Sequence, residues 1–577
     1  MNDEFSFLNI LNSGQREVCN DLRNYLITAC PGSGKTRTLT YRLAFFQKKY
    51  PDSQKYNVAI TYTNRAAIEI DVRLNEMGID LSSIWTGTIH QFCMNFIIRP
   101  YAMYSNDLKK GYHVIDEYVQ RQYCLEIAKK LGIDVGFKNP LEFDSINKLY
   151  HQRLKDNKEI DFDMILEISK YLVTNYQFIS ENISCLFRSI HVDEYQDTNQ
   201  FQYEILAAIF KSNKKINLFF VGDPNQAIYS NLGGIPKKCN ELEELFGVKF
   251  CEKELNGCYR STQRMIDYYS NFENIKSNVY SKSSNRYDKG NISYNYKIDV
   301  SRLPEEFANI ILEKIGEGVA EKDICIVAPQ WYQIYPLANK LRKYLPNIKF
   351  DAPDISPFKF DPINPFYILA KLLFTPSGRN VQMRKKYALE FMKILSTEYQ
   401  INFQQNIDTF SFLKIVNSVP KKSDGMEYFK NGVETIIKKI GLNFTDEEDL
   451  LKVYAAFLER TFERINNYNL FTDYVSMCNY FKEKEGVVIN TIHGIKGEEY
   501  NTVIAFDLLN GHLPHWDYIF KDSKKELRAH ETNNLLYVLC SRAKVNLYLY
   551  SEIGRKTQRG SEYTATDELY CLKYDYD

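Results

Sequence analysis

The strongest constraint on the fold is an apolar run that empties into a glycine-bracketed loop and then into a helical pattern, "YLITACPGSGKTRTLTYRL" at residues 25–43. Tyr25 to Thr28 read as a buried strand and Thr38 to Phe46 as a helix, so the loop lies at a strand-to-helix turn. Such a turn is an anion site, because unpaired backbone N–H groups and the positive end of the helix point at whatever occupies it. Gly32 and Gly34, on either side of Ser33, let the backbone close around phosphate oxygens. Lys35 then reaches the β- and γ-phosphates, and the Thr36 hydroxyl is placed to ligate Mg²⁺. Ala29 holds the first position of the pattern, usually glycine, and Cys30 and Pro31 fill its interior.

The segments that follow keep the strand-to-helix alternation. "NVAITYTNRAAIEI" (57–70) reads as strand, loop and helix, and "IWTGTIHQF" (84–92) has the same character. This alternation predicts a parallel α/β sheet. Residues 96–185 turn helical, with amphipathic runs such as "YVQRQYCLEIAKKL", and read as an insertion. The alternation then resumes with "SIHVDEYQDTNQ" (189–200), an apolar strand that ends in Asp193 and Glu194. Paired carboxylates there suit phosphate chemistry: Asp193 holds Mg²⁺ through its water shell, and Glu194 polarises the attacking water. A further strand in "LFFVGDPNQAIYSNLGG" (218–234) delivers Gln226, a side chain able to hydrogen-bond the γ-phosphate or that water.

Composition narrows the setting. A chain of 577 residues is too long for one core and predicts about three or four domains. Lys+Arg and Asp+Glu balance at 73 each, so no overall field draws the chain to nucleic acid, and any such site must be a local groove. Its 12 cysteines form no CxxC pair, which argues against a zinc or iron–sulfur module and for reduced thiols. No run approaches about twenty apolar residues, and "MNDEFSF" does not resemble a signal peptide. The expected location is the cytoplasm.

In order along the chain stand "LNSGQREVC" (11–19), "ACPGSGKTRTL", "TYTNRAA", "GTIHQFC", "VDEYQDTN", "VGDPNQAIY", "ELNGCYRST" (254–262), "INTIHGIKGEEYNTVIAFDLLNGHLP" (489–514) and "NNLLYVLCSRAK" (533–544). This series resembles the superfamily 1A DNA helicases typified by UvrD, Rep and PcrA over nearly the whole length. The resemblance implies an α/β fold of two RecA-like P-loop NTPase domains with inserted helical accessory domains, and ATP bound with Mg²⁺ in the cleft between them. Residues 1–95 and 186–255 would form the first RecA-like domain, 96–185 its helical insertion, 256–365 and 484–577 the second, and 366–483 a reduced helical accessory domain. It further implies that Gln15 reads the adenine edge, Arg37 lies beside the nucleotide, Tyr259 stacks on the base and Glu499 sits near the ribose. Arg260 and Arg542 would contact the γ-phosphate from the second domain, where a planar guanidinium suits charge spread over equatorial oxygens.

For DNA, the resemblance implies 3′-to-5′ travel on a single strand. Thr61, Tyr62, Asn64, Thr88 and His90 would touch it from the first domain, Thr491 and His493 from the second, and Tyr229 would stack on a base. Several positions depart from the family. Asn231 and Leu232 stand where Trp-Arg is usual, Pro329 beside Trp331 where Arg is usual, Asn533-Asn534 where an Arg pair is usual, and Ser541 replaces Thr. The shortened accessory stretch also resembles the GajB-type helicase component of Gabija anti-phage systems, which work beside a nuclease of the overcoming-lysogenization-defect (OLD) family. Two readings follow: a DNA helicase or translocase, or a DNA-gated ATPase that regulates a separate nuclease. The chain shows no nuclease constellation of its own after Arg542.

Overall fold

The computed structural model describes residues 3–51, 53–136, 139–229, 233–352, 356–359, 361, 364–377, 381–399, 401, 403, 407–444, 447–468, 470–481, 486–516, 525–557, 559–570 and 572. These fall into two compact units, one of residues 1–319, 323–331 and 491–577, the other of 320–322 and 332–490. Residues 332–365 and 484–490 thus group with the helical stretch rather than with the rest of the second α/β region.

In chain order the first strands are β1 (Tyr25–Ala29), β2 (Tyr56–Thr61), β3 (Ile84–Thr88), the two-residue β4 (His113–Val114) and β5 (Glu159–Ile160), β6 (Phe187–Asp193), β7 (Asn217–Gly222) and β8 (Cys251–Leu255). Six of them form a sheet in the order β3-β2-β6-β7-β1-β8, with every neighbouring pair parallel. The register sets Thr28 beside Gly222 and Asp193 beside Val221, so β1, β6 and β7 end level with one another. Parallel pairing thereby gathers the loop after β1, the acidic turn after β6 and the Asp223 turn after β7 at one edge. Helices cover both faces, and β7 is accordingly buried along its whole length instead of alternating.

The expected helical insertion divides in two. Helices Phe162–Asn175 and Gln177–Cys185 pack into the core of the sheet through Ile165, Leu172, Ile179 and Ile183. Helices Glu117–Leu131 and Asp144–Asn157 instead close a small core of their own around Ile127, Ile146, Tyr150 and Leu154.

The later strands are β9 (Gly257–Cys258), β10 (Tyr280–Ser281), β11 (Ile292–Asn295), β12 (Ile324–Ala328), β13 (Phe350–Asp351), β14 (Val487–Thr491), β15 (Tyr500–Ala505) and β16 (Ala543–Tyr550). In the first unit β11, β16, β15 and β12 lie side by side in that order, again all parallel. In the second unit β13 pairs in parallel with β14. That unit is otherwise helical, with helices Pro365–Phe374, Gly425–Lys439 and Glu448–Tyr468 packed through an aromatic core in which Phe358 stacks on Phe457.

One buried cation pins the base of the first sheet. Arg42, in helix α2 (Lys35–Lys49), is fully buried and donates to the carbonyls of Val18 and Arg23 and to Asn217 Oδ1, the last at 2.9 Å. Its guanidinium also lies over the rings of Tyr25, Phe46 and Phe219. Burial pulls its pKa down to about 10, so it stays charged at neutral pH. Arg42→Met keeps the aliphatic stem but removes the donor from three acceptors, of which only Arg23 O keeps another bond, from Asn217 Nδ2 at 3.0 Å. The substitution should destabilise this unit by about 2–3 kcal/mol, read as a lower urea midpoint of its unfolding transition. An unchanged midpoint would show that the guanidinium holds nothing together.

Candidate functional site

The loop after β1 is built on two left-handed glycines, Gly32 (φ 70°) and Gly34 (φ 84°). Conformation disfavours a side chain at both, and at Gly32 space forbids one as well. A Cβ on Gly32 would fall 2.5 Å from Arg260 Cβ, and one on Gly34 would fall 2.8 Å from Gln15 Nε2. The cradle is held from outside by main-chain bonds from Cys30 N to Leu255 O (3.1 Å) and from Tyr259 N to Gly32 O (2.9 Å). Chain leaving β8 therefore crosses the loop and brings Tyr259 and Arg260 to it. Gln15 sits in the first turn of helix α1 (Ser13–Cys19), where it forms a capping box with Asn12, and its buried amide donates to Ser33 O at 2.9 Å. Asn12 Nδ2 donates to the Tyr259 hydroxyl at 2.9 Å, so Gln15 and Tyr259 flank the same loop. Ala29, the buried last residue of β1, leads into it, and Lys35 and Thr36 open α2 behind it. Arg37 lies over the Tyr41 ring, 5.7 Å from its centroid. A loop whose glycines disfavour a side chain and whose N–H groups start a helix fits a polyphosphate.

At the end of β6, Glu194 takes the left-handed conformation (φ 52°, ψ 48°), rare for a residue with a Cβ and found where structure elsewhere enforces it. The enforcing bonds are visible. Lys35 Nζ lies 3.1 Å from Glu194 Oε2, Gln196 Nε2 donates to the same oxygen at 2.6 Å, and Glu194 N donates to Asp193 Oδ1 at 3.1 Å. Burial and the adjacent Glu194 charge drive the Asp193 carboxyl well above the usual range. Burial pushes Glu194 the same way, but the charges of Lys35 and Lys496 and the Gln196 bond outweigh it and hold it low. The negative charge of the pair therefore rests on Glu194, against Lys35. Beyond β7, Asp223 accepts from Gln226 Nε2 at 2.8 Å, and burial pushes its pKa up to about 6.

The second sheet supplies the cations of this cluster. Arg542 follows helix Lys525–Cys540, is buried, and donates through Nη2 to Gln226 Oε1 at 3.2 Å. Burial and the nearby Arg260 bring its pKa down to about 9. Arg260 itself bonds Glu499 at 2.9 Å and Ser541 O at 2.9 Å, and Lys544 shares Glu499 at 2.9 Å. Lys496 crosses to the first sheet, where its Nζ lies 2.5 Å from Asp197 Oδ2 and 2.8 Å from Gln226 O. Gln196 links the two groups, with Nε2 on Glu194 and Oε1 accepting from Asp223 N at 3.0 Å, so Lys35, Asp193, Glu194, Gln226 and Arg542 belong to one bonded cluster. Arg260 and Glu499 form a pair beside it.

A second group of predicted residues is aromatic. Tyr62 and Tyr229 stack on each other with centroids 4.4 Å apart and planes inclined 25°. Tyr229 also touches His493 at 5.6 Å, and Lys496 Nζ lies 4.9 Å from its ring centroid. The other predicted contacts make their bonds elsewhere. Thr61 ends β2 with its hydroxyl on Thr63 O (2.9 Å), and Asn64 opens helix α3 (Asn64–Glu76). Thr88 caps helix Ile89–Cys93, while Thr491 accepts from Gly494 N at 3.1 Å. His90 packs edge-on against Phe162 of the insertion, where burial lowers its pKa to about 4 and keeps the ring neutral. Trp331 is 54% exposed. Asn231 and Leu232 lie outside the described residues.

Sequence reasoning missed Lys496, Asp197 and Asp223. Lys496 lies inside the quoted "INTIHGIKGEEY", but a lone lysine reads as solvated until its acid is known, and Asp197 is 299 positions away. Asp223 directly follows an apolar strand, much as Asp193 ends one, and that is the signal that marks it. Among the described residues no cluster of three or more His, Cys, Asp or Glu is arranged to hold a metal, and no helix is long and apolar enough to cross a membrane.

Comparison with known proteins matches residues 11–142 and 137–247 to the UvrD/REP helicase N-terminal domain, and residues 390–552 to the UvrD-like helicase C-terminal domain. The chain is 25% identical over 635 residues to an ATP-dependent DNA helicase PcrA of Staphylococcus epidermidis, covering 94% of this chain and 84% of that one. It is 24% identical over 652 residues to a PcrA of Staphylococcus aureus, covering 95% and 84%. Ordered motifs, two parallel sheets with a glycine cradle at the end of β1, and matches to both halves of one helicase type agree: the chain belongs to the UvrD/Rep/PcrA-like superfamily 1A helicases, with two RecA-like P-loop domains.

Proposed function

We propose that this chain is a DNA-dependent ATPase that moves 3′ to 5′ along single-stranded DNA and opens duplex ahead of it. The observation that carries this reading is the run of bonds from Lys35 to Glu194, on through Gln196 and the Asp223–Gln226 turn, to Arg542 and Lys496, which joins the phosphate cradle of one sheet to cations of the other. ATP is the substrate. Gly32, Ser33 and Gly34 would cradle its phosphates, Gln15 would read the adenine edge, Tyr259 would stack on the base, and Arg37 and Glu499 would flank the sugar and phosphates. Thr36 and Asp193 would hold Mg²⁺, which when bound neutralises charge on the β- and γ-oxygens. Lys35 neutralises the same oxygens from the loop. Glu194, held ionised, accepts hydrogen bonding from the attacking water and orients it. Arg260 and Arg542 stabilise charge on the transferred phosphoryl group, and Gln226 reports its presence to Arg542.

Movement follows from which groups belong to which sheet. With the γ-phosphate in place, Arg260, Arg542 and Lys496 draw the second sheet onto the first; after hydrolysis that attraction is lost and the cleft relaxes. Tyr62, Tyr229 and His493, together with Thr61, Asn64, Thr88, His90 and Thr491, would hold the strand by stacking and backbone contact. We also propose the four-part division of the chain given from its sequence, with residues 332–365 and 484–490 counted with the helical part as the compact units group them, and a cytoplasmic setting. A second reading, a DNA-gated ATPase that controls an OLD-type nuclease in phage defence and unwinds little, is favoured by amides at Asn533 and Asn534 where the family has cations.

Lys35→Ala and Glu194→Gln should fail differently. Losing Lys35 should weaken ATP binding about tenfold or more, while Glu194→Gln should bind ATP normally and lose about a hundredfold or more in turnover. Binding of a fluorescent ATP analogue and phosphate release, measured separately, decide this; near-normal turnover in the Gln variant removes Glu194 from its role. Arg260→Lys and Arg542→Lys keep charge without the planar fork, so turnover should fall at least about tenfold in each with nucleotide-free DNA binding unchanged. Full turnover in both would sink the cross-cleft mechanism. Strand displacement from duplexes of increasing length, with either a 3′ or a 5′ tail, tests the motor itself. Opening that requires the 3′ tail supports 3′-to-5′ travel; ATPase without displacement at any length supports the second reading.

A further inference from the structure

The turn that carries Gln226 is tied to the second sheet by a ladder of asparagine amides, and this ladder stands where the family resemblance leads one to expect cations. Asn534, on helix Lys525–Cys540 and fully buried, donates through Nδ2 to Ala227 O at 2.9 Å. Its Oδ1 accepts from Asn274 Nδ2 at 2.8 Å. Asn274 Nδ2 also donates to His530 O at 2.9 Å, and its Oδ1 accepts from Asn533 Nδ2 at 3.2 Å. One residue on, Ile275 is clamped to the turn from the other side: Asn225 Nδ2 donates to Ile275 O at 2.8 Å, and Ile275 N donates back to Asn225 Oδ1 at 2.9 Å. On either side of Gln226, residue 225 is therefore held to Ile275 by neutral amide bonds in both directions, and residue 227 accepts one amide donation from Asn534.

Gln226 has little freedom left. Its Nε2 donates to Asp223, its Oε1 accepts from Arg542, and its carbonyl accepts from Lys496. Arg542 leaves the same helix that presents Asn534, after Cys540 ends it, and folds its Nε back onto Val538 O at 3.0 Å. A single rigid helix thus grips the turn with Asn534 and meets its glutamine with Arg542. A neutral amide suits the first task, because another cation here would face Arg542, Lys496 and Arg260 in a buried cluster. It is also directional, since a carbonyl and an amide donor must face each other along fixed lines.

We propose that Asn534 is a positioning residue, which, through Ala227, sets the Gln226 side chain in register with Arg542 and so couples movement of the second sheet to phosphate chemistry on the first. This rests on the ATPase reading above. Asn274 and Asn533 act as its supports, by holding the amide so that Nδ2 faces Ala227.

The test uses the full-length chain with Asn534→Asp, Asn534→Ala, Gln226→Ala and the two double variants. Asn534→Asp keeps an acceptor for Asn274 but sets a carboxylate oxygen against Ala227 O; Asn534→Ala removes the bond without adding charge. Each should lower turnover in saturating single-stranded DNA by about ten- to hundredfold, the penalty expected for a catalytic contact out of register. Affinity for a non-hydrolysable ATP analogue should stay at the wild-type value, with turnover compared at a temperature where every variant is folded, because loss of a buried amide bond lowers the thermal midpoint by itself. On the Gln226→Ala background either substitution should cost less than about threefold more, because both act on one contact. Unchanged turnover, full multiplication of the two losses, or a parallel loss of nucleotide affinity would each overturn the proposal. Wild-type protein with no DNA-stimulated turnover would instead bring down the ATPase reading, and this inference with it.

Discussion

Everything at the strand ends depends on one partly buried ion pair, Lys35 with Glu194 at 3.1 Å, and on what must surround it. Charges withdrawn from water are tolerated only when paired and hydrogen-bonded on their remaining positions. Glu194 meets this need with Gln196 and, through a left-handed backbone, with its own neighbour Asp193. The level ends of β6 and β7 bring Asp193 and Asp223 to the same edge and the turn after β6 adds Asp197, an excess of carboxylates that the first sheet cannot balance with Lys35 alone. Lys496 and Arg542 from the second sheet complete the set. In this form the two sheets are held together by the electrostatics of the site, and that makes their separation responsive to whatever charge the site contains.

The same logic links the aromatic group to the chemistry. Lys496 touches the Tyr229 ring, the Gln226 carbonyl and Asp197 at once, so a displacement of that ring acts on a charge that helps keep Glu194 ionised. Tyr62 and Tyr229 occupy each other's faces at 4.4 Å, and a base that stacks between or beside them must move at least one. In the proposed function DNA and nucleotide would act on neighbouring residues around a single turn, 223–229, with no long-range path needed to connect them.

Much of this was legible in the chain. The glycine cradle, Lys35, the Asp193–Glu194 pair and Gln226 each announce themselves because local order, a strand followed by a turn of special composition, fixes where they emerge. The parallel sheet follows from the same alternation. Partners contributed by the other sheet were legible only through resemblance: Arg542 and Arg260 read singly are surface cations, and the structure buries the first beside Gln226. Lys496 and Asp197 escaped because neither belongs to a local pattern, and the contact that defines them spans the chain. Asn533 and Asn534 read from sequence as losses, cations replaced by amides. Their geometry shows a gain that no spacing rule contains, since hydrogen bonds from Asn534 to Ala227 and Asn274 depend on how a helix and two turns meet. The division of the 96–185 insertion, half packed on the sheet and half with its own core, was likewise hidden, because amphipathic periodicity tells which face is apolar but not what covers it.

The central claim is that nucleotide chemistry and strand binding share one bonded cluster at the meeting of the two sheets. Steady-state ATP hydrolysis by the wild-type chain, titrated with single-stranded DNA, tests this most directly. The account predicts slow turnover without DNA and a saturable rise of at least about tenfold with it, within the usual range for coupled sites. Turnover that is brisk without DNA and indifferent to its addition would contradict it.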